Sequence, residues 1–115
     1  SLASARLIKE QTRAQNRETL LAIINSTSAD EASRMEATNC MIELTNIAEK
    51  ETSAEILLEA RGYTEVVVSI TEDSADVVVG LNELSDAQCA QIIDIVSRKT
   101  DIPQENIIIT PVTGN

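Results

Sequence analysis

Apolar residues recur every three or four positions before Gly62 and every second position after it. Residues 1–61 contain no Gly and no Pro, and Ala, Glu, Leu, Arg, Gln and Ile dominate them, so nothing there forces the chain out of a helix. Asn25-Ser26-Thr27-Ser28 is the first run that favours caps and turns. Ser28 followed by Glu31 has the spacing of a capping box. The pattern predicts one helix over about 2–25 and a second from about 29 to Gly62, a left-handed C-cap. Thr52 with Glu55 repeats the box, so a kink or restart is expected there.

The first helix is unusual. Between Lys9 and Thr19 its only apolar residue is Ala14, too little to bury a stripe. It is expected to project from the domain or to pair with a separate element. Its last turns, Leu20, Leu21, Ile23 and Ile24, are apolar enough to dock.

Beyond Gly62 the alternation predicts strands at 65–71 (E-V-V-V-S-I-T) and 76–81 (D-V-V-V-G-L), joined by 72–75 into an antiparallel hairpin. Val66, Val68 and Ile70 share a face, opposite Val77, Val79 and Leu81. Ser85 with Gln88 caps a helix over about 86–99, and a turn around Pro103 leads into a third strand at 106–112, where Pro111 marks an end or an exposed edge. The fold class is therefore α+β: N-terminal helices, then ββαβ, with a three-stranded sheet covered on one face by helices. Two units are expected, a projecting N-terminal helix (1–28) and a compact αββαβ domain (29–115).

Composition narrows the core. Of 115 residues, 43% are hydrophobic but only 1% aromatic, so the core is aliphatic and a thin two-layer structure is favoured. The lone aromatic, Tyr63, is expected to pack across the helix–strand corner with its hydroxyl in solvent; contact with a partner is the alternative. The net charge is −10. Four of the nine basic residues, Arg6, Lys9, Arg13 and Arg17, sit in the first 17 positions, against Glu10 alone. The rest is acidic and without stacking rings, which argues against nucleic acid. No apolar run is long enough to span a membrane, and no secretory signal is present. The sequence reads as a fragment of a longer protein, and its basic start would suit either a position beside a membrane anchor or a solvated helix face.

Candidate chemistry is sparse. The chain has no His, and its two cysteines form no C-x-x-C pair, so a zinc site is not expected. Cys89 shares a helical stripe with Ile92, Ile93 and Val96, and Cys40 one with Leu44 and Ile47; both are expected to be small core residues, with a disulfide as the alternative. Glu51, Glu55 and Glu59 have the spacing of a solvated acidic helix face. Phosphate-cradling glycine loops and a KH-type G-x-x-G clamp are lacking. Glu72, Asp73 and Asp76 lack the later ligands of an EF-hand. No enzyme and no cofactor are expected.

The blocks A-E-K-E-T-S-A-E-I-L-L-E-A-R-G-Y (48–63) with V-V-V-S-I (66–70), the V-V-V of 77–79, Q-I-I-D-I-V-S-R-K-T (91–100), N-I-I-I-T (106–110) and K-E-Q-T-R-A-Q-N-R-E-T-L-L-A-I-I-N (9–25) lie in the order found in one family. Over essentially its whole length the chain resembles the stage III sporulation protein AH family of endospore-forming bacteria. The resemblance implies a domain similar to the ring-building modules of type III secretion and flagellar basal-body proteins. It implies anchoring in the mother-cell membrane by an N-terminal transmembrane helix missing here, with this domain extracytoplasmic, between mother cell and forespore. It also implies binding to the forespore's stage II sporulation protein Q, self-association, and a zipper or channel that supports engulfment.

The residues themselves suggest how. Ile107, Ile108 and Ile109 form an apolar strand whose edge could take another strand, and Glu51, Glu55 and Glu59 offer an acidic helix beside it; these six are the candidate partner-binding residues. A cytosolic adaptor dimerising through its long helices is the alternative, and a hydrolase built on paired carboxylates is a distant third. A transmembrane segment encoded just upstream of Ser1 would favour the first over the second.

Overall fold

The computed structural model describes residues 2–112. The elements run α1 (Leu2–Ile24), α2 (Glu31–Ala60), β1 (Val66–Thr71), β2 (Ser74–Val79), α3 (Asp86–Thr100), a 3-10 turn (Gln104–Asn106) and β3 (Ile107–Pro111). The sheet order is β1-β2-β3, antiparallel between β1 and β2 and parallel between β2 and β3. This is the α+β arrangement that the change of period predicts.

Helix ends follow local chemistry, with two departures from expectation. The α2 N-cap is Asp30, whose carboxylate accepts the Ser33 N–H at 2.7 Å, so the expected Ser28 box does not form. Nor does α2 restart at Thr52; it runs unbroken for 30 residues. At its other end Gly62 takes φ 101°, and the Gly62 and Tyr63 N–H groups bond back to the Glu59 and Leu58 carbonyls, a Schellman closure that needs a residue without Cβ. The Ser85–Gln88 capping box on α3 forms in both directions.

The hairpin is tighter than expected. Thr71 pairs with Ser74, leaving a two-residue turn in which Glu72 has φ 55°. Ser74 and Ala75 therefore belong to β2, and the pairs across the core face are Val66↔Val79, Val68↔Val77 and Ile70↔Ala75. Leu81 lies beyond the strand and is exposed. The core joins these residues to Ala54, Leu58, Ile92, Ile95, Val96, Ile102 and Ile107. Tyr63 seals the corner, and its hydroxyl, expected to face solvent, instead donates to Gln91 Oε1 on α3 at 2.7 Å in a half-buried contact. Burial pushes the phenol above its usual range, and Cys89 adds to this. Both cysteines are free; Cys89 is half-buried as its stripe requires, whereas Cys40 is exposed, because that part of α2 lies beyond the core.

At 1.5 Å per residue α2 is about 45 Å long, more than twice the span of a six-residue strand. The core reaches α2 only from Ile47 onward, so the α1–α2 hairpin tip extends past the sheet and the molecule measures 55 × 29 × 21 Å. The attachment of α1 reverses the expected one. Its polar first half lies against the β1 edge, through Arg6 and Lys9, while its apolar last turns lie toward the tip.

Candidate interaction surface: one closed and one open sheet edge

In each strand, alternate residues turn both backbone groups toward one neighbour. Gly80 N–H bonds to Glu65 C=O, so along β1 residues 67, 69 and 71 face β2 while Val66, Val68 and Ile70 face outward. Every central group of that outward row is occupied. Arg6 donates to Val66 C=O at 2.7 Å and Lys9 to Val68 C=O at 2.8 Å. Glu55 accepts Val68 N–H at 2.8 Å and Glu51 accepts Ile70 N–H at 2.7 Å. Four charged side chains thus stand where a fourth strand would pair, cations on carbonyls and carboxylates on amides.

The four are also bonded to one another. Arg13 grips both oxygens of Glu51, Lys9 Nζ lies 3.1 Å from Glu51 and 4.0 Å from Glu55, and Arg6 lies 3.6 Å from Glu55. Glu51 and Glu55 are only 2% and 9% exposed, so the expected solvated acidic face does not form there; Glu59, one turn on, is exposed. Burial pushes the Glu51 carboxyl up, but the Arg13 guanidinium, the Ile70 N–H and Lys9 outweigh it and hold the carboxyl below its usual range. The same hydrogen bond to Glu51 raises Arg13. Among the described residues, no buried side-chain nitrogen or oxygen lacks a partner.

This gives a pH prediction. Unfolded glutamate titrates near 4.3, to about half a unit. A folded carboxyl held below that value contributes stability in full above it and loses the contribution as pH falls through the folded pKa. The stability gap between wild type and Glu51→Gln, read from urea midpoints, is therefore expected to be constant from pH 7 to about 5 and to narrow below about 4. A gap that widens in acid would contradict this account.

The opposite edge is open. Val112 N–H bonds to Val79 C=O, so Ile108 and Thr110 face β2 while Ile107, Ile109 and Pro111 face outward. Ile107 N–H is taken by Gln104 C=O. Among the described residues, Ile109 N–H and the carbonyls of Ile107, Ile109 and Pro111 are left for an incoming strand: one donor and three acceptors. Pro111 sits where no ladder N–H is needed, as an edge proline should. The Ile108 side chain, 57% exposed, stands on the sheet face away from the helices; Ile107 is buried and Ile109 half-buried on the core face. The structure therefore separates the six candidate residues. Ile107, Ile108 and Ile109 line the open edge, while Glu51 and Glu55 close the other.

Arg6, Lys9 and Arg13 went unmarked in the sequence as site residues, yet a signal was there. They continue the three-and-four spacing of Leu2, Leu20 and Ile23 on one stripe of α1, all buried or half-buried. Glu51 and Glu55 fall on the matching stripe of α2 with Ala37, Leu44, Ala48 and Leu58.

Residues 1–109 match the family model for SpoIIIAH-like proteins. The chain belongs to the SpoIIIAH-like family. Stage III sporulation protein AH of Bacillus subtilis (strain 168) is 30% identical over 94 residues, 82% of this chain and 43% of that protein, so the chain spans less than half of that relative's length. A chain of the solved structure of the SpoIIQ–SpoIIIAH pore forming complex matches with a TM-score of 0.85 and 26% identity, covering 97% of this chain and 96% of that one. The SpoIIIAH-like fold is thus what carries the two unlike edges. Among the described residues, no group of three or more His, Cys, Asp or Glu is placed to hold a metal, and no helix is long and apolar enough to cross a membrane.

Proposed function

We propose that this SpoIIIAH-like domain is a non-catalytic adaptor that docks a SpoIIQ-like forespore protein on its open β3 edge. The observation that carries the proposal is the asymmetry of the sheet: Ile109 N–H and the carbonyls of Ile107, Ile109 and Pro111 face outward, whereas the four central outward groups of β1 are occupied. Main-chain hydrogen bonds to an added strand supply affinity, and the side chains flanking the strand supply specificity. Similarity to a chain of the SpoIIQ–SpoIIIAH complex supports the choice of partner. We place the contact on Ile107, Ile108 and Ile109 rather than on Glu51 and Glu55, whose carboxylates are engaged internally; exposed Glu59 remains available as a contact. In this reading the whole protein is held in the mother-cell membrane by an upstream helix, the domain lies between mother cell and forespore, and bound copies assemble into a ring or channel.

Ile109→Pro is the sharpest test. It removes the outward N–H that has no partner among the described residues and no bond to β2, whereas proline at Ile108 would break the ladder itself. Ile109→Ala loses a comparable side chain and keeps the N–H. Binding of the SpoIIQ extracellular domain, measured by titration calorimetry, is expected to weaken at least about tenfold more in Ile109→Pro than in Ile109→Ala, one charge-free main-chain bond being worth about that much. Equal affinities for the two variants would remove β3 as the docking edge.

A further inference from the structure

The β1 edge asks for a separate explanation. β1 reads V-V-V-S-I-T, the strand in this chain richest in β-branched residues, and a strand edge of that kind is a template for another chain. What covers it is not apolar packing. Among the described residues Leu2 is the only buried residue of α1, and it lies outside the main core. The middle of α1 instead offers Arg6, Lys9 and Arg13 at positions where an amphipathic helix would place apolar residues. Two of these cations end on backbone carbonyls of β1, and the donor and acceptor order along the edge is matched group by group.

We propose that the N-terminal helix is an edge guard. Arg6 and Lys9 occupy the outward carbonyls of β1 so that this edge cannot take a strand, and the strand it turns away is β3 of a second copy of this chain. β1 and β3 lie on opposite edges of one sheet, with β2 between them. An unguarded β1 would therefore continue the sheet of the next molecule by accepting that molecule's Ile109 N–H on a Val66 or Val68 carbonyl, while the Val68 and Ile70 N–H groups stay on Glu55 and Glu51. That contact is heterologous and propagates from copy to copy. The guard leaves the domain a single open edge, so strand addition ends after one partner.

The inference rests on the open β3 edge of the proposed function, and its test separates the two. R6L/K9L uncovers both carbonyls, keeps hydrocarbon in the same stripe, and leaves Arg13 on Glu51. Sedimentation velocity across a concentration series is expected to show self-association at least about tenfold tighter than wild type, the worth of roughly one net main-chain hydrogen bond. Adding Ile109→Pro should return it to the wild-type level, and R6L/K9L alone, at concentrations low enough to keep it monomeric, should bind the SpoIIQ domain as wild type does. A folded R6L/K9L that associates no more than wild type, or whose association ignores Ile109→Pro, overturns the guard while leaving partner docking intact. Should the double variant not fold, Arg6→Leu and Lys9→Leu are read singly in the same way. Loss of the fold in both singles would also overturn the proposal, because the cations would then be a folding requirement instead.

Discussion

Glu51→Ala is expected to cost about 3–5 kcal/mol, a large part of the roughly 5–15 kcal/mol that holds a domain of this size together. The reason lies in what the carboxylate leaves behind. Its side chain is 3% exposed and satisfies Arg13, Lys9 and the Ile70 N–H together. Removing it leaves one buried backbone donor unmet and takes the counter-charge from Arg13 and most of it from Lys9, two cations whose side chains are only 21% and 19% exposed, and a poorly solvated charge without its partner costs more than a surface pair contributes. Thermal unfolding followed by circular dichroism should shift down by about 10 °C or more. Glu51→Gln should fall between, since its amide oxygen still accepts Ile70 N–H but the cations lose their counter-charge. Glu59→Ala, on the exposed side of the same helix, is expected to stay within about 0.5 kcal/mol of wild type. Similar melting temperatures for the Glu51→Ala and Glu59→Ala variants would mean that the network contributes nothing net.

Leu58→Ala is expected to cost about 2–5 kcal/mol by a different mechanism. Leu58 is fully buried in the cluster shared by α2, all three strands and α3, and with one aromatic residue in the chain no large neighbour stands ready to fill the gap. The cost combines lost transfer energy with the cavity left behind, and Leu58→Met should cost less than about 1.5 kcal/mol because volume is kept. The two losses are distinguishable in acid. The Leu58→Ala deficit should be the same at pH 7 and at about pH 3, whereas the Glu51→Ala deficit should be smaller at the lower pH, because the unfolded chain takes up a proton at Glu51 before the folded one does. Urea midpoints of both variants at the two pH values test this directly. A Leu58→Ala loss below about 1 kcal/mol would mean that the core around α2 relaxes more freely than its burial suggests.

Much of the fold was legible because it is local. The change of period at Gly62, the Schellman glycine itself and the Ser85–Gln88 box depend on residues within a few positions of each other, and each stands where the pattern puts it. The hairpin was legible as a hairpin but not in register. Nothing in Glu72-Asp73-Ser74-Ala75 says that two residues suffice for the turn, and the difference exchanges Leu81 for Ala75 on the core face. The docking of α1 was not legible by the rules that found the rest. Those rules count charged residues as solvent-facing, and Arg6, Lys9 and Arg13 are half-buried because Glu51 and Glu55 meet them from 38 or more positions away. A stripe of cations at helical spacing and a stripe of acids at helical spacing were both visible. That they cancel was not.

By itself the sequence determined which segments are helix and strand, the aliphatic character of the core, the position of the isoleucine strand and the family resemblance, because propensity, periodicity and turn chemistry act over short separations. Only the tertiary structure decided which edge of the sheet is closed. Every strand carries the same unpaired backbone groups along its length, and whether they meet a side chain, another strand or water depends on what the rest of the chain brings beside them. In this domain, charged side chains from two helices meet the outward groups of β1, and Ile109 N–H faces outward on β3.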